Sequence, residues 1–160
     1  MKKQKLAAAL LALAVSFGAP VVYAAGGPKV DIPSRAKGAN KVVVGKTLSV
    51  SPRWRTNDHS DLLIVSLVGV QVEESLKGNA GDFVYLEVEG GTLDGVTLHV
   101  SSVQELKPGD RAVLFLDESN GIHVAHLKGK GILKLDQQNQ VASEQLGLNE
   151  IRRLVRDANK

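Results

Sequence analysis

Four histidines, His59, His99, His123 and His126, are the only imidazoles in the chain, and it has no cysteine. His123 and His126 stand three apart, a spacing that on a helix would let two rings share one metal. Their neighbours Gly121, Ile122 and Val124 favour a strand instead. In a strand, positions i and i+3 point to opposite faces, so the pair does not chelate. No metal and no cofactor are expected. Asp58-His59-Ser60-Asp61 gathers polar side chains that could hold a hard cation weakly, but the same residues make a solvated turn, which is the reading adopted. Ser101-Ser102 beside His99 supplies hydroxyls and a base without a third member for a triad. Lys128-Gly129-Lys130-Gly131 is basic and Gly-rich but lacks the strand–loop–helix setting of a phosphate cradle. The chain carries no nucleophile elbow, H-E-x-x-H, Walker loop or paired-carboxylate motif, and no catalytic residue is assigned.

Arg53-Trp54-Arg55 holds the sole tryptophan between two cations. Trp and Arg are enriched in binding hot spots. Ser51 to Asp61 reads as a polar loop, so Arg53, Trp54, Arg55 and His59 form an expected partner-binding set on that loop. A second reading stands beside it: Trp54 folds back as a cover on one end of the fold, since Trp is highly buried on average.

The elements that must position these residues are mostly strands. Val42 to Val50 is β-branched and ends at Pro52, with Val44, Leu48 and Val50 expected on one face. Leu62 to Glu74 is a long strand with Gly69 as its bend. Phe83 to Glu89 alternates strictly, placing Val84, Leu86 and Val88 inward and Glu87 and Glu89 outward. Val96 to Ser101 is a further strand, and Leu106 to Asp110 a turn. Arg111 to Leu116 is apolar on both faces and reads as the most buried strand. Gly121 to Leu127 and Gly131 to Leu135 complete the β region. Leu148 to Ala158 changes to helical period through Ile151, Leu154, Val155 and Ala158, with Asn149 as its expected N-cap. Short strands at regular spacing with one terminal helix predict a mainly β fold: a small OB-like Greek-key barrel over residues 41–135, then a linker and C-terminal helix over 136–160.

The first 24 residues read as a signal peptide. Lys2, Lys3 and Lys5 precede an apolar stretch from Leu6 to Ala19, and Val22-Tyr23-Ala24 offers a cleavage site between Ala24 and Ala25. The stretch is short of the roughly 20 residues that span a bilayer. Export to the periplasm or the medium is expected, with no stable membrane anchor after cleavage. Residues 25–40, rich in Gly and Pro, read as a flexible or laid-down arm. Without the leader, 17 basic and 17 acidic residues remain of the 20 and 17 in the full chain. The global basic charge that favours nucleic acid is then gone, and no nucleic-acid partner is expected.

Val43-Val44-Gly45-Lys46, Val70-Gln71-Val72-Glu73-Glu74-Ser75-Leu76-Lys77-Gly78, Leu106-Lys107-Pro108-Gly109-Asp110-Arg111 and Leu114-Phe115-Leu116 follow one another in this order, with Ser51-Pro52-Arg53-Trp54 and Gly90-Gly91-Thr92 between them. Over about Ala39 to Leu135 the pattern resembles exported bacterial OB-barrel proteins of the netrin/tissue-inhibitor-of-metalloprotease type. The motifs are mainly structural and imply fold more than activity. The animal inhibitors of that group present an N-terminal Cys to the catalytic zinc; this chain has no Cys, so the disulfide that orients that terminus is missing.

Two function classes follow. The first is an exported, non-catalytic binding module whose partner is another envelope or secreted protein, a protease included. The second is a periplasmic barrel that binds carbohydrate or a small ligand, or a weak hydrolase built from dispersed His, Ser and Asp. The low number of aromatic residues counts against the second.

Overall fold

The computed structural model describes residues 31–119, 121–141 and 146–160. The expected leader, with its expected cleavage site at Ala24 and Ala25, and residues 25–30 of the expected arm lie outside them. The elements run α1 (Ile32–Gly38), β1 (Lys41–Thr56), β2 (Leu62–Lys77), β3 (Phe83–Glu89), β4 (Gly91–Leu93), β5 (Val96–Leu98), β6 (Arg111–Ser119), β7 (Ile122–Ala125), β8 (Ile132–Leu135), β9 (Gln140–Val141), β10 (Leu146–Gly147) and α2 (Leu148–Ala158).

Five strands close a ring. β1 pairs with β2 and β6, β2 with β3, and β6 with β7, all antiparallel; β3 closes the circle on β7 in parallel. Counting ring strands in chain order, the circuit is 1-2-3-5-4-1, the Greek-key order of a small OB-like barrel. β8 adds to the far side of β6, and β9 and β10 extend the sheet from there. β4 and β5 form a separate hairpin.

The apolar doublets and triplets in β1 and β6 explain the two cores. Successive strand side chains alternate faces, so a run apolar on both faces must be covered on both. Val43, Ala112, Leu114 and Leu116 fill the barrel with Val68, Val70, Val84 and Leu86. Their alternates Val42, Val44, Val113 and Phe115 point out and are sealed by Ile32 and Ala36 of α1 and by Leu148, Ile151 and Val155 of α2. Phe115 is fully buried in this outer core. The Arg111 to Leu116 run is thus buried on both faces, as its composition requires.

Several local expectations are corrected. The arm contains a helix: Asp31 caps it through an Oδ1 that accepts the Ser34 N–H, and Pro33 sits in its first turn. Pro tolerates that position because its missing N–H would have no helical partner there. The other end of α1 is held by Lys77, whose Nζ donates to the carbonyls of Ala36, Lys37 and Ala39 at 2.7, 3.1 and 2.7 Å. An ammonium suits the negative end of the helix dipole. Val44, Leu48 and Val50 do not share a face: Val44 packs in the outer core, Val50 lies against the barrel core, and Leu48, beside a register shift between Thr47 and Ser49, is 49% exposed. The strand expected over Val96 to Ser101 stops at Leu98. The α2 N-cap is Gly147 and not Asn149, whose Oδ1 accepts from Arg152 Nη1. The span 136–147 holds two short strands in addition to connecting chain. Gly69 does mark a close approach: a Cβ there would lie 2.6 Å from Ser49 Oγ and 3.3 Å from the Tyr85 ring.

Candidate functional site

The expected loop over Ser51 to Asp61 is mostly strand. β1 runs on to Thr56, paired residue by residue with β2, and only residues 57–61 form the turn. Pro52 tolerates this strand because β6 pairs only with Lys41 to Lys46, leaving the end of β1 an edge. The tip is an Asx turn, in which Asn57 Oδ1 accepts the N–H groups of His59 and Asp61. His59 is exposed at that tip.

The strand period splits the Arg-Trp-Arg triplet. Arg53 and Arg55 share the outer face and converge on Glu87 of β3, two strands away. Arg53 Nη2 lies 2.7 Å from Glu87 Oε2, and Arg55 Nη1 donates to Oε1. Glu87 is nearly buried, with 9% side-chain exposure. In the register Val65 sits between Arg53 and Glu89. Val65 faces outward yet is fully buried, covered by these long side chains. Trp54 points to the opposite face, where its Nε1 donates to Asp94 Oδ2 at 3.1 Å, on the turn between β4 and β5. It is 39% exposed. Of the four residues expected to act together, the structure joins Arg53 and Arg55, sends Trp54 to a different surface, and leaves His59 at the tip.

The outer face continues along β3. Phe83 and Tyr85 alternate with the buried Val84 and Leu86 and stand 54% and 59% exposed in line with Glu87. Beside Glu87, where β3 meets β7, a groove of about 360 Å³ has Val103, Val124, Ala125 and Leu127 in its apolar part and Arg55, Glu87 and Lys128 among its charged ones. Leu127 and Lys128 both have left-handed backbone, φ 54° and 51°. Non-Gly residues seldom adopt it, and it presents Leu127 outward, 53% exposed.

Glu87 is the functional candidate that sequence reasoning passed over. Its outward direction was readable from the alternation of Val84, Leu86 and Val88. Its meeting with Arg53 and Arg55 was not, because β1 and β3 touch only across β2.

The two histidines His123 and His126 have separate partners. Lys41 Nζ donates to His123 Nε2 at 3.0 Å, since an ammonium has no acceptor. His126, just past the end of β7, bonds Asp117 Oδ2 through Nδ1 at 2.7 Å. Its Nε2 lies against Gly38, where a Cβ would come within 2.7 Å, so α1 closes off that edge of the ring. His126 keeps 15% side-chain exposure and Asp117 34%, and Asp117 also lines the groove beside Glu87. Among the described residues no three His, Asp or Glu side chains converge as a metal site, and no helix is long and apolar enough to cross a membrane.

Elsewhere, Arg111 is tied to Glu73 by three hydrogen bonds, which hold its pKa above the usual arginine value. Arg152 is tied to Glu74 at 2.7 Å. Both border a polar depression of about 320 Å³ near the start of α2. No family model matches this chain, and no curated protein matches it either.

Proposed function

We propose that the protein is an exported, non-catalytic binding module whose partner is another envelope or secreted protein, a protease among the candidates, and that it docks through the outer face of β1, β2 and β3. One observation carries the reading: Phe83 and Tyr85, each more than half exposed, lie on the same strand face as the Arg53–Glu87–Arg55 cluster. Aromatic and arginine side chains are enriched at protein interfaces. Glu87 holds both guanidiniums in place, so little side-chain entropy remains to be lost on docking. Glu87 and, 4.0 Å from Arg55, Glu89 balance the two guanidiniums, whose further N–H groups are donors for an acidic or carbonyl group of a partner. The adjacent groove offers an apolar recess for a protruding side chain.

The test compares wild type with the Phe83→Ala/Tyr85→Ala double variant, both immobilised and exposed to envelope extract and culture medium. The reading expects one stoichiometric protein retained by wild type and lost by the variant. Equal retention by both, or no retained protein, would overturn it. The two rings are exposed, so the variant keeps its fold, which circular dichroism checks.

A further inference from the structure

Past Thr47, β1 has a neighbour on one side only. Its pairing with β6 spans Lys41 to Lys46. The last bonds on that side join Thr47 to the turn before β6: Thr47 N–H donates to the Asp110 carbonyl and Gly109 N–H to the Thr47 carbonyl, each at 2.8 Å. From Ser49 to Thr56 the strand is paired with β2 alone.

Two hydrogen bonds fix which main-chain groups face the open side. In an antiparallel pair, facing residues either exchange both bonds or turn both groups away from each other. The Ile64 carbonyl accepts the Gly90 N–H at 2.9 Å on the β3 side, so Ile64 and its β1 partner Trp54 form a turned-away pair. At the tip, Asn57 N–H donates to the Asp61 carbonyl at 2.9 Å, which makes the next pair, Thr56 with Leu62, a turned-away one too. The two bonds agree on the phase. Pro52, Trp54 and Thr56 therefore aim their main-chain groups at the open side, while Arg53 and Arg55 spend theirs on β2. Trp54 and Thr56 each present an N–H and a carbonyl there, and Pro52 a carbonyl. Among the described residues, nothing bonds these groups. Pro52 stands where an N–H would face outward, so it costs the β1–β2 ladder no bond.

The side chains along this edge alternate as well. Trp54, 39% exposed, lies on one face, and Arg53 and Arg55 on the other. A second copy of the chain is a poor occupant. Antiparallel pairing about Trp54 would set Arg53 of one copy opposite Arg55 of the other, and like charges directly opposite are destabilising.

We propose that this edge receives an extended segment of the partner as an added strand along Pro52 to Thr56, with an apolar side chain beside Trp54 and acidic or uncharged polar ones on the arginine side. Main-chain hydrogen bonds supply the affinity, and the alternate side chains the specificity. The inference rests on the reading of the chain as a protein-binding module and names the form in which the partner arrives.

The probe is an eight-residue peptide of alternating valine and glutamate, capped at both ends, with amide exchange followed residue by residue by NMR. In the free protein the Trp54 and Thr56 amides should exchange at close to the open-chain rate, and those of Arg53 and Arg55 slowly. The peptide should bind with Kd of about 1 mM or tighter, and at saturation should slow the Trp54 and Thr56 amides by about tenfold while changing the arginine amides less. That alternation marks an added strand; docking through side chains does not produce it. Thr56→Pro removes an outward N–H, leaves the ladder to β2 whole and should weaken the peptide about tenfold, whereas Thr56→Ala, which keeps the N–H, should not. Slow exchange at Trp54 and Thr56 in the free protein, no saturable binding, protection without alternation, or equal binding by the Thr56→Pro protein would each overturn the proposal. Capture from envelope extract separates it from the reading beneath it. A protein lost by Phe83→Ala/Tyr85→Ala but retained by Thr56→Pro would remove the added strand and leave the module, whereas no retained protein overturns the module while the peptide titration still decides the edge.

Discussion

Glu87 shows how much one side chain can organise. It is nearly buried, and its two oxygens serve two guanidiniums that are themselves 40–50% exposed. Removing one arginine leaves the carboxylate a partner, whereas removing the carboxylate leaves two cations with only Glu89, 4.0 Å from Arg55, to offset them. Glu87→Gln should therefore cost about 1–2 kcal/mol, measured by urea unfolding, and more than Arg53→Gln or Arg55→Gln; solvent exposure of the arginines keeps the figure below that of a fully buried pair. Asp110 makes a separate prediction about acid. Burial pushes its carboxyl up, but Lys134 Nζ at 2.7 Å and the Lys107 N–H at 2.8 Å outweigh it, so its pKa lies below the ordinary 3.8. A depressed carboxyl contributes stability that is complete above its unfolded pKa and is lost as pH falls through the folded one. Between about pH 6 and about pH 2.5, wild type should therefore lose more stability than Asp110→Asn does. At this scale the sequence was partly legible. The inward set Val84, Leu86 and Val88 followed from alternation alone. The alternation that splits Arg53-Trp54-Arg55 is equally available, but Pro52 signals a strand end, and an edge tolerates what a central strand does not.

The elements most readable from sequence were those whose burial repeats. α2 is an amphipathic stripe and spans Leu148–Ala158 as its period requires. α1 was missed because it is only seven residues long, with Ile32 and Ala36 as its whole buried stripe. Its signals were the Asp31 cap and a first-turn Pro, which look the same as a loop unless something waits to receive the helix. That receiver is Lys77, far along the chain and unreadable locally. The β4–β5 hairpin likewise pairs only with itself, so its short strands carry little pattern. Gly131 shows an element-level constraint that composition hides. A Cβ there would meet Phe115 O at 2.6 Å and His126 N and O at 2.8 Å, all backbone atoms that cannot swing aside. Gly131→Ala should push β8 away from β6 and destabilise by about 1–3 kcal/mol in denaturant unfolding, although its backbone is not left-handed. An unchanged midpoint would show that the two strands part without strain.

At the scale of the molecule, the barrel is joined by unequal seams. β1 matches β2 over fourteen residue pairs, β2 matches β3 over seven, β1 matches β6 over six and β6 matches β7 over four. The parallel seam from β3 to β7 has two, Leu86 with His123 and Glu87 with Val124. Local openings draw on the regions with least to break. Amide deuterium exchange should therefore be fastest, among the hydrogen-bonded amides of the ring strands, in β7, while residues 42–45 of β1 and 112–116 of β6, buried on both faces, exchange only when the whole molecule unfolds. Equal protection of β7 and β6 would contradict this. The groove with Leu127 and Val124 lies at this same short seam, so its width and the breathing of the ring are one motion. A protein that seats a side chain there would act as a wedge that locks a hinge, and its arrival would be read first as a slowing of exchange on β7.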